Sequence, residues 1–144
     1  MRYPLDNFDI VSQGFGIPNT HYHSGIHNGT DFPVPIGTPI YAPTDGEIYK
    51  VYQNHITMGN ACYFTFTFQG TQYWSRFLHL NAVPTIGTYT EGDVIAHSGD
   101  SGDSTGAHLH LELWKVPINT LLLYSTQNVL RNLLDPYKWF KENV

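Results

Sequence analysis

Three observations predict a mainly β, antiparallel fold for this chain. Apolar and polar residues alternate over short runs, β-branched and aromatic side chains fill those runs, and Gly, Pro and Asp separate them. The runs cover residues 38–42, 46–53, 61–68, 71–79, 93–97 and 108–114. Their spacing is that of a meander or sandwich, not of βαβ units. The C-terminal segment alone reads as helical.

In chain order, residues 1–20 include Asp6, Asn7, Asp9 and Gln13 where a signal peptide would need an apolar centre. No stretch of about 18 apolar residues is present to span a membrane. His27 and Asp31 have a helical i, i+4 spacing, but Gly29, Thr30, Pro33 and Pro35 oppose a helix. A strand or loop is expected there. Fully extended, it would hold the two side chains about 13 Å apart, so a bend at Gly29 is needed to bring them together. Asp45-Gly46 reads as a type I′ hairpin turn. The run from Ala61 to Phe68 holds the single cysteine, Cys62, as a packed strand residue with no internal disulfide partner. Gln69-Gly70 closes a hairpin to the next run.

The glycine-rich stretch from Ser98 to Gly106 lacks the Lys-Ser/Thr ending of a phosphate cradle, and a strand follows it where a cradle would need a helix. Its glycines are expected to let backbone approach an extended peptide. In the next run, Leu109, Leu111 and Leu113 take one parity and His108, His110 and Glu112 the other, which is a strand with its two histidines on one face, Cα atoms about 6.6 Å apart. Glu112 is expected to be solvated or paired. Helices are predicted over Thr126–Asn132 and Pro136–Glu142, with Leu130, Leu133, Leu134, Tyr137 and Phe140 at helical intervals and Pro136 starting the second.

With 144 residues the chain makes one domain spanning 1–144, with a core at 14–113 and an extension at 115–144. Within that extension, residues 117–130 read as an extra excursion, with groove shaping or partner docking as the two roles open to it. Hydrophobic residues make up 41%, enough for a real core. The net charge of −5 argues against electrostatic binding to nucleic acid or to an anionic membrane.

The chemistry sits in two clusters about eighty residues apart, His27-Asn28-Gly29-Thr30-Asp31 and His108-Leu109-His110, with His79 between them. Zn²⁺ takes imidazole nitrogens and carboxylate oxygens, and a catalytic site uses three such ligands with the fourth position open to water. Two histidines and one aspartate form such a set, and His108 and His110 need not both be ligands. Isolated histidines are ordinarily surface or hydrogen-bonded residues, which is the expectation for His55 and His97. His21 and His23 are expected on an exposed rim of the cleft.

The order of motifs resembles the lysostaphin/LytM-type peptidases of family M23 over roughly residues 14–113. It comprises His27-x-x-x-Asp31, Pro35-Ile36-Gly37-Thr38-Pro39-Ile40-Tyr41-Ala42, Phe77-Leu78-His79-Leu80, then Gly99-x-x-Gly102-x-Ser104-Thr105-Gly106-Ala107-His108-Leu109-His110. The resemblance implies a two-sheet antiparallel fold with a groove across it, closed by a tail like Leu134-Asp135-Pro136-Tyr137. It implies zinc held by His27, Asp31 and His110, with His79 and His108 handling protons and steadying the transition state. Tyr22 is the nearest candidate for an assisting tyrosine, one residue off the family's usual offset. The implied function is a zinc endopeptidase acting on bacterial peptidoglycan peptides, at a cross-bridge or a stem peptide. Two alternatives are a non-catalytic binding or activator module and a virion or tail component that opens the wall locally. A chain starting at Met1 without an export signal or wall-binding module is compatible with a phage-encoded protein.

Overall fold

The computed structural model describes residues 1–119 and 126–144. Among the described residues nine strands follow in order: β1 Thr30–Phe32, β2 Pro39–Tyr41, β3 Gly46–His55, β4 Gly59–Phe68, β5 Thr71–Leu80, β6 Gly87–Tyr89, β7 Val94–His97, β8 Leu109–Trp114 and β9 Leu133–Leu134. Among the described residues two helices, α1 Thr126–Asn132 and α2 Pro136–Asn143, occupy the C-terminal segment. Among the described residues the larger sheet runs β1-β8-β5-β4-β3-β6, with β9 also on β8, and β2 pairs with β7 in a smaller one. All these pairings are antiparallel. This is the mainly β class that the alternation predicts.

The alternation of β4 and β5 sorts side chains between two cores. Cys62, Phe64 and Phe66 turn to one face with Phe77, where Leu109, Leu111 and Leu113 of β8 and Ile40 and Ile95 of the small sheet complete the cluster. Leu5 and Phe8 join it from the N-terminal segment and Phe140 from α2. Phe8 stacks on Phe32 and Tyr137 with centroids 4.8 and 5.6 Å away. Burying such a ring contributes about 1.5–3 kcal/mol. The opposite face gathers Ala61, Tyr63, Leu78 and Trp114 under Ile118, Val129 and Leu133. The predicted 117–130 excursion thus lies partly over this second face, and its residues 120–125 fall outside the described residues. β8 is buried along its whole length, because a sheet face and a cover close on both of its sides.

Gln69 and Gly70 both adopt left-handed backbone (φ 50° and 79°), the two-residue turn expected between β4 and β5. Asp45-Gly46 is a correction. β2 pairs with β7 and β3 with β4 and β6, so no hairpin joins the strands that flank it. Asp45 Oδ1 instead accepts the Glu91 N–H at 2.8 Å. Gly46 is required by space, since a Cβ there would lie 2.5 Å from the Phe64 ring and 2.6 Å from Thr65 O. Gly99 and Gly102 of the 98–106 stretch need a similar correction, while Gly106 has open space around it. Cβ atoms at Gly99 and Gly102 would meet Asn81 N at 2.5 Å and Gly59 N at 2.3 Å, so these positions are closed by the chain's own backbone and leave no room for a peptide.

At the end of β5, Cys62 faces Phe77 while Asn60 faces Leu80, so three steps on β5 match two on β4. This is a bulge. His79 occupies it in left-handed backbone (φ 63°) and donates its N–H to Met58 O at 2.9 Å. The extra residue breaks the strict alternation of β5 at the place where His79 is needed. β3 has two irregularities of its own, between Ile48 and Lys50 and between Tyr52 and His55.

Candidate metal centre

Strand register brings the distant clusters together. Asp31 of β1 lies directly across from His110 of β8, and opposed residues in an antiparallel pair share a face. The Asp31 Oδ1 atom is 2.8 Å from His110 Nδ1. His27 reaches the same oxygen with Nε2 at 3.4 Å. The predicted bend at Gly29 is present, and it presses against β8, where a Cβ would lie 2.2 Å from Leu111 O. One donor atom from each of His27, Asp31 and His110 falls within 4.8 Å of the others.

Two further imidazoles sit alongside. The His79 and His108 rings are 4.8 Å apart, and His79 lies 6.2 Å from His110. His108 Nε2 is 3.8 Å from Asp31 Oδ1. The Tyr22 ring stacks on His110 at 6.2 Å and meets His27 edge-on at 5.7 Å. All six residues singled out in the sequence therefore meet in one place. His21, His23, His55 and His97 stay outside the cluster. His55 Nδ1 accepts the N–H groups of Thr57 and Met58, both at 3.2 Å, and His97 is exposed.

Each imidazole is tethered by the nitrogen that faces away from the cluster. His27, His79 and His108 donate Nδ1–H to the carbonyls of Gly14 (2.9 Å), Ser101 (2.8 Å) and Gly106 (2.8 Å). His110 is held from Nε2 by Glu112 Oε2 at 2.8 Å. Glu112 is fully buried, ion-paired to Arg76 Nε at 2.9 Å, and accepts the Trp114 indole N–H at 3.0 Å. Of the two expectations for Glu112, pairing holds and solvation does not. Parity already placed it beside His110; what parity could not show is its cross-strand partner, Arg76.

Burial alone would raise the Asp31 carboxyl, but hydrogen bonds from His110 and His27 outweigh it and hold it well below the ordinary carboxylate range. Burial would lower His110, yet its bonds to Asp31 and Glu112 push it up to about 9. Burial would raise Glu112, and the Arg76 charge and the His110 bond bring it down to about 2. Burial depresses His79, aided by the nearby His108 and His110 and opposed by the Ser101 carbonyl bond. Tyr22 is raised by burial and by the Glu112 and Asp31 charges, so its phenol keeps its proton.

These shifts fix the pH response of the metal-free protein. His110, raised from 6.5 to about 9, contributes stability that is complete below about 6.5 and is lost as pH rises through about 9. Glu112, lowered from 4.5 to about 2, contributes above about 4.5 and loses that contribution as pH falls toward about 2. Thermal denaturation in chelator is expected to give a melting temperature that falls from about pH 6.5 toward pH 9 as His110 loses its proton, and falls again below about pH 4.5 as Glu112 gains one. A melting temperature that rises from pH 6.5 to 9 would contradict this.

A sheet that converges two imidazoles and one carboxylate, each imidazole braced from behind, defines a β protein whose donor set fits a divalent metal. Residues 25–122 match Peptidase family M23, and the chain belongs to that family. It is 38% identical over 117 residues to the peptidoglycan DD-endopeptidase ShyA of Vibrio cholerae, an alignment covering 78% of this chain and 26% of that protein. Lysostaphin of Staphylococcus simulans is 31% identical over 101 residues, covering 69% and 20%. The chain thus spans about a quarter of the length of these relatives or less. Among solved structures, a zinc-containing peptidase from Vibrio cholerae superposes with a TM-score of 0.65 at 35% identity, over 78% of this chain and 35% of that one. The catalytic domain of lysostaphin does so with 0.69 at 25%, over 91% of both.

Proposed function

We propose that this chain is a zinc-dependent endopeptidase that hydrolyses peptide bonds in bacterial peptidoglycan, acting at the cell wall as one unit over residues 1–144. The observation that carries the reading is the meeting of His27, Asp31 and His110 with the His79 and His108 rings at one end of the sheet. Family membership and the peptidoglycan endopeptidases among the relatives support it.

Zinc, when bound by His27, Asp31 and His110, supplies Lewis acidity at the scissile carbonyl and lowers the pKa of water toward about 7. The remaining chemistry belongs to side chains. His79, its pKa lowered by burial and its Nδ1–H committed to Ser101 O, offers Nε2 to a proton of the attacking water. His108, tethered in the same sense by Gly106 O, turns Nε2 toward the centre to share proton transfer and to steady the oxyanion. Tyr22, protonated and packed on His27 and His110, donates a hydrogen bond to the same oxygen in this reading.

Digestion of purified peptidoglycans of defined cross-bridge type, with new amino termini identified by mass spectrometry, tests the proposal. New termini are expected from at least one wall type, and their sequence identifies the bond as cross-bridge or stem. Folded, zinc-loaded protein that binds these walls and releases no termini would make the chain a binding or activator module instead.

A further inference from the structure

We infer that Glu112 and Arg76 are positioning residues of the metal centre, which fix the His110 proton on Nε2 and so present Nδ1 as the donor atom. The inference rests on the metal-centre reading above. Its basis is a reversal among the four imidazoles. His27, His79 and His108 give Nδ1 to backbone carbonyls, which only accept, so Nε2 is the free nitrogen of each. His110 does the opposite, with Nδ1 toward Asp31 and Nε2 toward a side chain.

Asp31 also only accepts, so each nitrogen of the metal-free His110 ring faces an acceptor. Glu112 opposes it. Its Oε1 accepts the Trp114 N–H and faces Arg76 Nε, which leaves Oε2 aimed at His110 Nε2 with no freedom to turn. Arg76 is itself fixed, its Nη1 reaching Tyr63 OH at 3.4 Å and Met58 Sδ at 3.5 Å. With Arg76 Nε and the Trp114 N–H both turned to Oε1, the remaining oxygen Oε2 meets His110 Nε2 as an acceptor.

Leu78, Met58 and Tyr63 belong to the same buried cluster as Trp114, and a buried ion pair in such surroundings is commonly matched or bettered by apolar residues of similar volume. What apolar residues cannot do is choose a tautomer.

Glu112→Gln is the discriminating variant because it keeps the shape. Its carbonyl oxygen is drawn to Trp114 N–H and Arg76, which turns the NH₂ group toward His110 Nε2. The ring must then accept at Nε2 and carry its proton on Nδ1, where the metal would bind. Competition with a chromophoric chelator is expected to show zinc affinity about 10- to 100-fold weaker than wild type. Long-range ¹H–¹⁵N spectra of the metal-free variant are expected to show His110 as the Nδ1–H tautomer, and those of the zinc-loaded wild type as Nε2–H. The double variant Arg76→Met/Glu112→Met removes the pair altogether and is expected to bind zinc more weakly as well.

Wild-type zinc affinity in Glu112→Gln, or a loss of affinity with His110 still Nε2–H, would overturn the inference. A wild-type protein that binds no zinc would overturn the metal-centre reading itself, a different result seen before any variant is made.

Discussion

Asp31→Ala is expected to take the protein from about one zinc ion per chain to almost none and its peptidase turnover down to the uncatalysed background, a loss of about 10⁶-fold or more. Asp31 is the only anion of the three proposed ligand residues, and its Oδ1 is the atom around which His27, His108 and His110 are arranged. Without it, two neutral imidazoles would have to hold a dication alone. Asp31→Asn keeps the shape and removes the charge, and it is expected to fail almost as completely. Elemental analysis of dialysed protein, run beside wall digestion, measures both quantities. An Asp31→Ala protein that keeps stoichiometric zinc would remove Asp31 from the ligand set.

The second large effect separates chemistry from metal binding. His79 and His108 variants are expected to keep zinc near one per chain yet lose about 10²- to 10⁴-fold in turnover, the usual contribution of a positioned general acid or base. Losing a donor to the oxyanion falls in the same range, about 2.7–4 kcal/mol. The choice of replacement matters at His79, where the backbone is left-handed at φ 63°. Asparagine tolerates that conformation better than most residues, so His79→Asn removes the imidazole with little strain on the bulge. His108→Ala has no such complication. Activity within a few-fold of wild type in both variants would exclude these residues from proton transfer.

Much of this arrangement was legible in the sequence, for identifiable reasons. The alternation at 61–68 and 71–79 and the Gln69-Gly70 turn specify the central hairpin, and strand periodicity needs no partner to be read. The parity of His108, His110 and Glu112 places them on one face, as the structure does. What stayed hidden depends on contacts between distant segments. β1, β6 and β9 are three residues or fewer, too short for a period to register. Leu5 and Phe8 lie among polar neighbours, and only packing against Phe32 and α2 draws them inside. The bulge at His79 follows from unequal spacing on two strands, which neither strand reveals alone. Glu112 is buried because β5 sets Arg76 directly opposite it, and Gly46, Gly99 and Gly102 are needed for close approach to remote backbone.

The short reach of β6 has a consequence for behaviour at high concentration. β6 pairs with β3 only from Gly46 to Ile48, so among the described residues the stretch from Tyr49 to His55 has an open hydrogen-bonding edge. Such an edge is a template for another chain to add to. The two breaks in the register of β3 and the charge of Lys50 between them interrupt that template. Register breaks and an edge lysine are the general means by which a strand edge resists pairing with a second chain, and here they lie on the border of the sheet opposite the histidines.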